Sequence, residues 1–228
     1  MLTYIFGHRG LPRIYRENSI TGLNKAFNHC DFVETDLRIT KDNNIIFYHD
    51  SFIKDFFIED LTLNEIELLL PDIDMSDMIF TSRTQITGNV NFEIKSDDTK
   101  KENLEVLIKK IINMATYDDI ISSFNWEVIH NYKDSFNCKY GIILDNEDNL
   151  FEAIALSNHD NQIMFMVSNN VINSRNFNLP LNRTVVWTVN DEKEFERLVQ
   201  IGLYGIITDI PDTMQLYKSR KEWQLQMI

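Results

Sequence analysis

Two short charged motifs lie in parts of the sequence that are otherwise rich in β-branched and aromatic residues. In the first, Glu34 and Asp36 are two positions apart, and the same spacing joins Glu93 and Lys95 in the second. Residues two apart on a β-strand point to the same side, so each pair would share one face of its strand. On a strand buried on both faces, such charges must be paired or bind a metal, and carboxylate oxygens suit Mg²⁺ or Ca²⁺. On a solvent-exposed strand edge the same pattern is unremarkable, and the motifs alone do not decide between the two.

The five histidines of the sequence fall into two groups. His8 and His49 each directly follow a short β-rich run, whereas the others lie in or after helical segments (His29, His130 and His159). In a barrel of alternating strands and helices, the residue after a strand lies at the C-terminal face, where active sites form. One histidine in such a position is more often a hydrogen-bonded structural residue. Two of them beside two charged pairs indicate an active site, and the other three are expected on the surface.

Short β-rich runs alternate with amphipathic segments along the chain, which predicts βαβ units and a parallel sheet. The predicted strands are 3–6, 32–38, 91–95, 120–123, 140–144, 162–167, 184–189 and 205–208, with an extra strand at 45–48. The predicted helices are 20–29, 100–116, 126–132, 149–156, 192–201 and 212–223. Eight strands fit a closed (β/α)8 barrel, a TIM barrel, of α/β class that forms one domain over residues 1–228. A doubly wound open sheet is the alternative.

The composition excludes several classes of protein. The 228 residues carry a formal net charge of −13, whereas nucleic acids and anionic membranes are bound by basic surfaces. No apolar run approaches the roughly 18 residues needed to span a bilayer, so stable membrane insertion is not expected. The residues before Gly7 are too few for the apolar region of a secretory signal, which predicts a cytoplasmic protein. Cys30 and Cys138 have no CxxC spacing, and buried free thiols are expected.

Taken in order, ten motifs closely resemble those of the glycerophosphodiester phosphodiesterase family. Any one of them is unspecific, but the ordered set is specific and runs from residue 7 to residue 211. Three departures are visible. Ser19 stands where the family usually has threonine, and the turn Asp42-Asn43-Asn44 lacks the glycine often seen there. Residues 51–59 lack the usual Arg-Thr-Thr character, which leaves the non-phosphate half of the substrate open. The motifs are Gly7-His8-Arg9-Gly10, Glu17-Asn18-Ser19, Glu34-Thr35-Asp36, Thr40-Lys41-Asp42, His49-Asp50, Asp60-Leu61-Thr62, Glu93-Ile94-Lys95, Ser123-Phe124, Val186-Trp187-Thr188-Val189-Asn190 and Gly205-Ile206-Ile207-Thr208-Asp209 before Pro211.

The resemblance implies a hydrolase of lipid and glycerol metabolism, a (β/α)8 barrel that converts glycerophosphodiesters to sn-glycerol 3-phosphate and an alcohol. Such chemistry needs the charge of the phosphodiester to be neutralised and two protons to be moved. Matched motif by motif, the implied residues are the acid–base pair His8 and His49, the ligands Glu34, Asp36 and Glu93 of a Mg²⁺ or Ca²⁺ ion, and the phosphate-binding Arg9 and Lys95.

Four further residues are expected near the site. Phe124 and Trp187 are expected to line the glycerol or leaving-group side of the mouth, with core packing as the alternative for Phe124. Glu17 and Asn18 are expected to brace the first loop, and they either reach the site or serve the loop alone.

Two aspartates and two phenylalanines receive structural interpretations. Asp50 directly follows His49 in a strand-like run, so their side chains should diverge and Asp50 is expected to act as a cap. Asp209 is expected to cap the last helix. Phe56 and Phe57 form either an exposed lid over a lipid-like group or part of a satellite core.

Two other functions remain open at this point. A phospholipase D-like activity on lysolipids or sphingolipids would need an apolar patch beside the mouth, for which residues 56–58 are the only indication. A non-catalytic barrel that binds a phosphorylated ligand would be expected to have lost a histidine or a carboxylate, yet the motifs retain them. The expected partner is a small-molecule glycerophosphodiester, and the sequence indicates neither the headgroup nor the oligomeric state.

Overall fold

In the computed structural model, which describes residues 3–226, strands and helices alternate and the strands close into a barrel. Of the described strands, eight pair in parallel in the order β1-β2-β7-β8-β9-β10-β11-β12, and β12 pairs back with β1. This is the predicted (β/α)8 barrel, and the closure excludes the open sheet. The strands are β1 (Tyr4–Gly7), β2 (Phe32–Ile39), β3 (Ile45–Phe47), β4 (Phe52–Ile53), β5 (Phe56–Phe57), β6 (Ile79–Phe80), β7 (Asn89–Ile94), β8 (Ile120–Ser123), β9 (Lys139–Leu144), β10 (Met164–Ser168), β11 (Thr184–Trp187) and β12 (Gly205–Thr208).

The helices pack around the outside of the barrel. Two of them lie outside the six predicted segments: a helix that begins after Thr62 and a single turn after β10. The single turn was not predicted because four residues are too few to show a helical period. In the described part of the chain, no helix combines the length and the apolar character that crossing a bilayer requires. The helices are α1 (Ile20–Ala26), α2 (Leu63–Leu69), α3 (Lys101–Met114), α4 (Trp126–Tyr132), α5 (Leu150–His159), α6 (Asn169–Ile172), α7 (Glu192–Ile201) and α8 (Pro211–Gln226).

Local sequence signals explain where several helices begin. The Thr62 hydroxyl accepts a hydrogen bond from the Glu65 amide, and the Glu65 carboxylate accepts one from the Thr62 amide, which is a complete capping box. At α7, Asp191 accepts from two amides, but the Glu194 carboxylate binds Arg197, so this box is half formed. Pro211 is the first residue of α8, where a proline costs no helical hydrogen bond.

The side chains of β2 point alternately into the barrel and outward toward the layer beneath the helices. Val33 and Leu37 belong to the large core between the barrel and the helices. Phe32 points inward and stacks on Phe6 with ring centroids 4.5 Å apart, within a smaller cluster that fills the N-terminal half of the barrel. The next inward-facing residues on β2 are acidic, so the interior changes from apolar to charged toward the C-terminal face.

An antiparallel extension and a short hairpin follow β2. The extra strand expected at 45–48 is β3, which pairs with β2, and β6 pairs with β3 in turn. The hairpin of β4 and β5 anchors Ile53 and Ile58 in a separate small core. Phe56 and Phe57 lie outside that core, with 53% and 47% of their surface exposed. The satellite core that was considered for them is therefore formed by neighbouring residues instead.

A buried ion pair joins the segments that enter β7 and β8. The Arg83 guanidinium donates two hydrogen bonds of 2.7 Å to the Asp119 carboxylate, which is fully buried. The same carboxylate accepts from the amides of Val90 and Thr116. The Thr116 hydroxyl is a fifth donor to it, at 2.8 Å. Loss of the carboxylate would therefore leave the Arg83 charge, two amides and a hydroxyl without their acceptor.

We predict that Asp119→Ala lowers the free energy of unfolding by about 3–5 kcal/mol, because it leaves the buried Arg83 charge without its partner. Guanidinium titration measures this. The control is Glu105→Ala, which removes an exposed i,i+4 pair with Lys109 and should change stability by about 0.5 kcal/mol or less. Equal effects of the two substitutions would show that the Arg83–Asp119 pair is not needed for the fold.

Candidate active site

Three carboxylates meet at the C-terminal face of the barrel. Glu34 and Asp36 project inward from β2, and the sheet register places Asp36 beside Glu93 on the neighbouring strand β7. One oxygen from each of the three carboxylates lies within 4.8 Å of the others. Glu34 and Asp36 are buried, and Glu93 is largely so. The two sequence pairs thus form one acidic cluster inside the barrel, and the solvent-edge alternative does not apply.

Burial and mutual repulsion make the charged forms of these three carboxylates energetically unfavourable. Burial, reinforced by the charge of Asp36, raises the pKa of Glu34 to about 8, and the same two causes raise the pKa of Glu93. Burial acts on Asp36 in the same direction, but Lys95 and Arg9 outweigh it and hold the pKa of Asp36 below its usual value. Among the described residues, Oε1 of Glu34 is buried without a hydrogen-bond partner. An orphaned carboxylate oxygen in an all-oxygen cluster fits a divalent cation.

Two basic side chains approach the carboxylates. Lys95 Nζ lies 2.8 Å from Glu93 and 3.4 Å from Asp36. Arg9 Nε lies 3.2 Å from Asp36, and the Arg9 amide donates to Glu34 at 3.1 Å. The amide can turn toward Glu34 because Arg9 adopts a left-handed backbone with φ 53°. The positive charge that a net acidic protein must concentrate around an anionic substrate is therefore present at this point.

His8 is held by a carboxylate from the last strand of the barrel. His8 Nδ1 lies 2.6 Å from Asp209 Oδ1, and the other oxygen of Asp209 accepts from Asn190 at 2.6 Å. The expectation that Asp209 caps the last helix is wrong, because its carboxylate is committed to these two partners; the Thr208 hydroxyl accepts the Ile210 amide instead. Asp209 directly follows β12, so the strand-end rule that singled out the two histidines was a usable signal for it.

The pairing shifts the pKa values of both partners. Burial acts to lower the pKa of His8, but the hydrogen bond to Asp209 and the charge of Glu34 outweigh it, so the pKa of His8 lies above 6.5. Burial acts to raise the pKa of Asp209, and the hydrogen bond and charge of His8 outweigh it, so that pKa falls. Since both shifts favour the charged forms, the pair is an ion pair over a widened pH range.

His49 is held in a similar way by its own neighbour. His49 Nδ1 lies 2.8 Å from Asp50 Oδ1. The expected divergence of these side chains is wrong because β3 ends at Phe47, so the alternation of a strand no longer applies two residues later. The buried Arg38 of β2 donates from Nε and Nη2 to the His49 carbonyl at 3.0 and 2.8 Å, which fixes the backbone of this loop. Sequence reasoning did not identify Arg38.

All nine predicted site residues line one cavity of about 370 Å³. Phe124 and Trp187 meet edge to face at its rim with ring centroids 5.8 Å apart, and Trp187 is the last residue of β11. Phe124 is 44% exposed, so core packing is excluded for it. Asn91 and Asp145 also line the cavity, although the sequence motifs did not point to them.

Glu17 and Asn18 connect the first loop to the site. Glu17 accepts from Arg9 Nη1 at 3.1 Å. Asn18 donates to Asp36 at 2.8 Å and accepts from the Asp36 amide and the Thr35 hydroxyl. The two residues therefore both brace the loop and touch the charged groups of the cavity.

Comparison with known proteins identifies the family. The model of the glycerophosphoryl diester phosphodiesterase family matches residues 8–213. A glycerophosphodiester phosphodiesterase of Caldanaerobacter subterraneus is 26% identical to this chain and is aligned over 94% of this chain and 97% of its own length. One from Bacillus altitudinis is 23% identical, with 92% of this chain and 96% of the relative covered.

Solved structures share the fold. A glycerophosphodiester phosphodiesterase from Thermotoga maritima superposes with a TM-score of 0.73 at 21% identity, covering 93% of this chain and 97% of that one. A phosphodiesterase from Oleispira antarctica, solved in complex with the product sn-glycerol-3-phosphate, gives 0.73 at 18% identity, with 96% and 97% covered. This chain belongs to the glycerophosphoryl diester phosphodiesterase family, which confirms the resemblance and the predicted enzyme class.

We predict that Asp209→Asn lowers the pKa of His8, because the substitution removes the negative charge that raises it. An NMR titration of the histidine ring protons measures the shift. The control is Glu192→Gln, which removes a charge from the exposed first turn of α7 and should leave the His8 titration unchanged. A titration of His8 in Asp209→Asn that coincides with the wild type would contradict the pairing.

Proposed function

We propose that this enzyme hydrolyses glycerophosphodiesters to sn-glycerol 3-phosphate and an alcohol, with His8 and His49 as acid and base. The observation that carries the proposal is the convergence of these two imidazoles, two basic side chains and an acidic cluster in one cavity. The family match supports the substrate class, and the product bound in the Oleispira antarctica structure supports the identity of the phosphate product.

Glu34, Asp36 and Glu93 would hold a divalent cation, either Mg²⁺ or Ca²⁺. Their hard oxygen atoms, their mutual proximity and the unpartnered Oε1 of Glu34 all support this role. When bound, such a cation supplies positive charge that offsets the phosphodiester and the developing charge of the transition state.

Arg9 and Lys95 would bind the phosphate. The two side chains approach the carboxylates from the same cavity, so a phosphate that enters there meets both. The planar Arg9 guanidinium can donate to two phosphate oxygens, whereas Lys95 acts as a compact charge. Together they position the phosphorus between the histidines. Phe124 and Trp187 would bound the glycerol or alcohol side of the same cavity, where their apolar faces exclude water.

The histidines would move the two protons of the reaction. In each ring, Nδ1 faces a carboxylate, so a neutral ring carries its proton on Nδ1 and leaves Nε2 free to accept one. A protonated ring can donate from Nε2 instead. One ring therefore takes the proton of the attacking hydroxyl, and the other gives one to the departing alcohol. Each transfer contributes about 10²–10⁴-fold to the rate.

A second candidate function is a phospholipase D-like activity on lysolipids. The observation that favours it is the β4–β5 hairpin, which begins three residues after His49 and exposes Phe52, Phe56 and Phe57 by 50%, 53% and 47%. Exposed aromatic side chains can contact an acyl chain, and these three follow His49 closely in the sequence. The non-catalytic barrel has no such support, since every residue the chemistry needs lines the cavity.

The location and the partner follow from the same properties. We propose a cytoplasmic enzyme whose partner is a small glycerophosphodiester, with no role for nucleic acid. The formal net charge of −13 argues against a nucleic-acid partner, and Arg9 and Lys95, which line the cavity, suit a small anionic substrate.

Wild-type enzyme supplied with Mg²⁺ or Ca²⁺ should release sn-glycerol 3-phosphate from glycerophosphocholine or glycerophosphoethanolamine. His8→Ala and His49→Ala should each lower kcat by about 10²-fold or more, because each removes one proton transfer. An enzyme-coupled assay for sn-glycerol 3-phosphate measures both. His130→Ala, at an exposed helical position, is the control and should retain the wild-type rate. Near wild-type turnover by either site variant would refute the acid–base pair. Release of the headgroup alcohol together with lysophosphatidic acid, from lysolipids only, would favour the second candidate.

A further inference from the structure

A second cavity shares a wall with the active site. It has a volume of about 170 Å³, and His49 is the residue that lines both cavities. The proposed mechanism does not use two of its other lining residues, Arg16 and Tyr48. The rest of the lining is Glu17, Asn18, Asp50 and Ile73. A substrate that extends past His49 would enter this space.

Arg16 is unusual among the arginines of the described chain. Its Nη1 atom is buried, yet it makes no hydrogen bond, and no carboxylate lies within ion-pair distance of the guanidinium among the described residues. Four other arginines that are partly or fully buried each donate to a carboxylate or a carbonyl (Arg9, Arg38, Arg83 and Arg183), although Nε of Arg9 is also buried without a hydrogen bond. A partly buried charge with no hydrogen-bond partner is unfavourable, and an anion bound beside it would offset this cost.

The negative groups near Arg16 are engaged elsewhere. Glu17 accepts from Arg9 at 3.1 Å, and Asp50 pairs with His49 at 2.8 Å. Asp77, which also acts on Arg16 through its charge, accepts from the Thr21 amide at 2.7 Å. Burial outweighs these neighbours and lowers the pKa of Arg16, so the local carboxylates do not compensate its charge.

Tyr48 supplies a second donor on the same wall. It is half-buried, and its hydroxyl makes no hydrogen bond to any residue in the described part of the chain. A guanidinium and a phenol that both lack acceptors, facing one small cavity, form a site for an oxyanion.

We propose that Arg16 and Tyr48 form a second anion-binding subsite, which takes a phosphate or carboxylate carried on the alcohol half of the substrate. The inference rests on the proposed function, because the scissile phosphate would lie beside Arg9 and the distal anion would lie across His49 from it. The preferred substrate class is then a glycerophosphodiester whose alcohol carries a further negative charge, rather than one with a cationic headgroup such as choline.

The test compares kcat/KM for bis(glycerophospho)glycerol, whose second phosphate provides the distal anion, with kcat/KM for glycerophosphocholine. Wild-type enzyme should prefer the anionic substrate. In Arg16→Gln the ratio of the two values should fall by about tenfold or more, equivalent to about 1.4 kcal/mol. Arg13→Gln removes the same charge from an exposed position three residues away and should keep the wild-type ratio. Glycerophosphoserine, assayed in parallel, separates a carboxylate from a phosphate as the bound group.

An unchanged ratio in Arg16→Gln, or a wild-type preference for glycerophosphocholine, would overturn the subsite. If circular dichroism shows that Arg16→Gln does not fold, Arg16→Met replaces it, because methionine keeps the apolar part of the side chain. The same ratio of kcat/KM values is then measured for Arg16→Met. If the wild type cleaves none of the substrates, the proposed function fails. The role of Arg16 is then tested separately, by calorimetric measurement of inorganic phosphate binding in the absence of divalent cations. Weaker binding by Arg16→Gln than by Arg13→Gln supports the subsite, and equal binding contradicts it.

Discussion

Repulsion among three carboxylates that the barrel holds away from water is the constraint on which the rest of the site depends. Adjacent strands fix Glu34, Asp36 and Glu93 by register, so the groups cannot move apart without opening the barrel. The pKa of Glu34 rises to about 8 as a result of burial and of Asp36. Arg9 and Lys95 approach because the cluster attracts them, and their charges in turn suit a phosphate. The same electrostatic constraint thus accounts for the acidic cluster and for the two basic side chains beside it.

The two imidazoles are oriented by groups that lie outside the reacting centre. Asp209 from the far end of the chain holds His8, and Asp50 holds His49, in each case through Nδ1. The backbone of the second loop is fixed separately, through Arg38 and the His49 carbonyl. Each Nδ1 is therefore held by a carboxylate of its own, and the two rings line the same cavity.

Local sequence patterns predicted those features of the fold and of the site that depend on the geometry of single strands. The barrel, the inward direction of Glu34 and Asp36 and the position of His8 all follow from period-two alternation and from strand ends. The Asp209–His8 contact did not follow, because it spans 201 positions and exists only once β12 closes against β1. The Asp50 prediction failed because it extended β3 beyond its real end, and the unpaired guanidinium of Arg16 has no sequence signal, since the missing partners are spatial neighbours.

Anomalous diffraction from crystals soaked in Ca²⁺ would show whether the acidic cluster binds a cation. We expect one strong peak bounded by carboxylate oxygens of Glu34, Asp36 and Glu93, at about 2.3–2.6 Å from each ligating atom. Glu34→Gln, which keeps the shape but removes the charge, should weaken that peak. A soaked crystal with no peak at these oxygens, or with its peak on the outside of the barrel, would contradict the account.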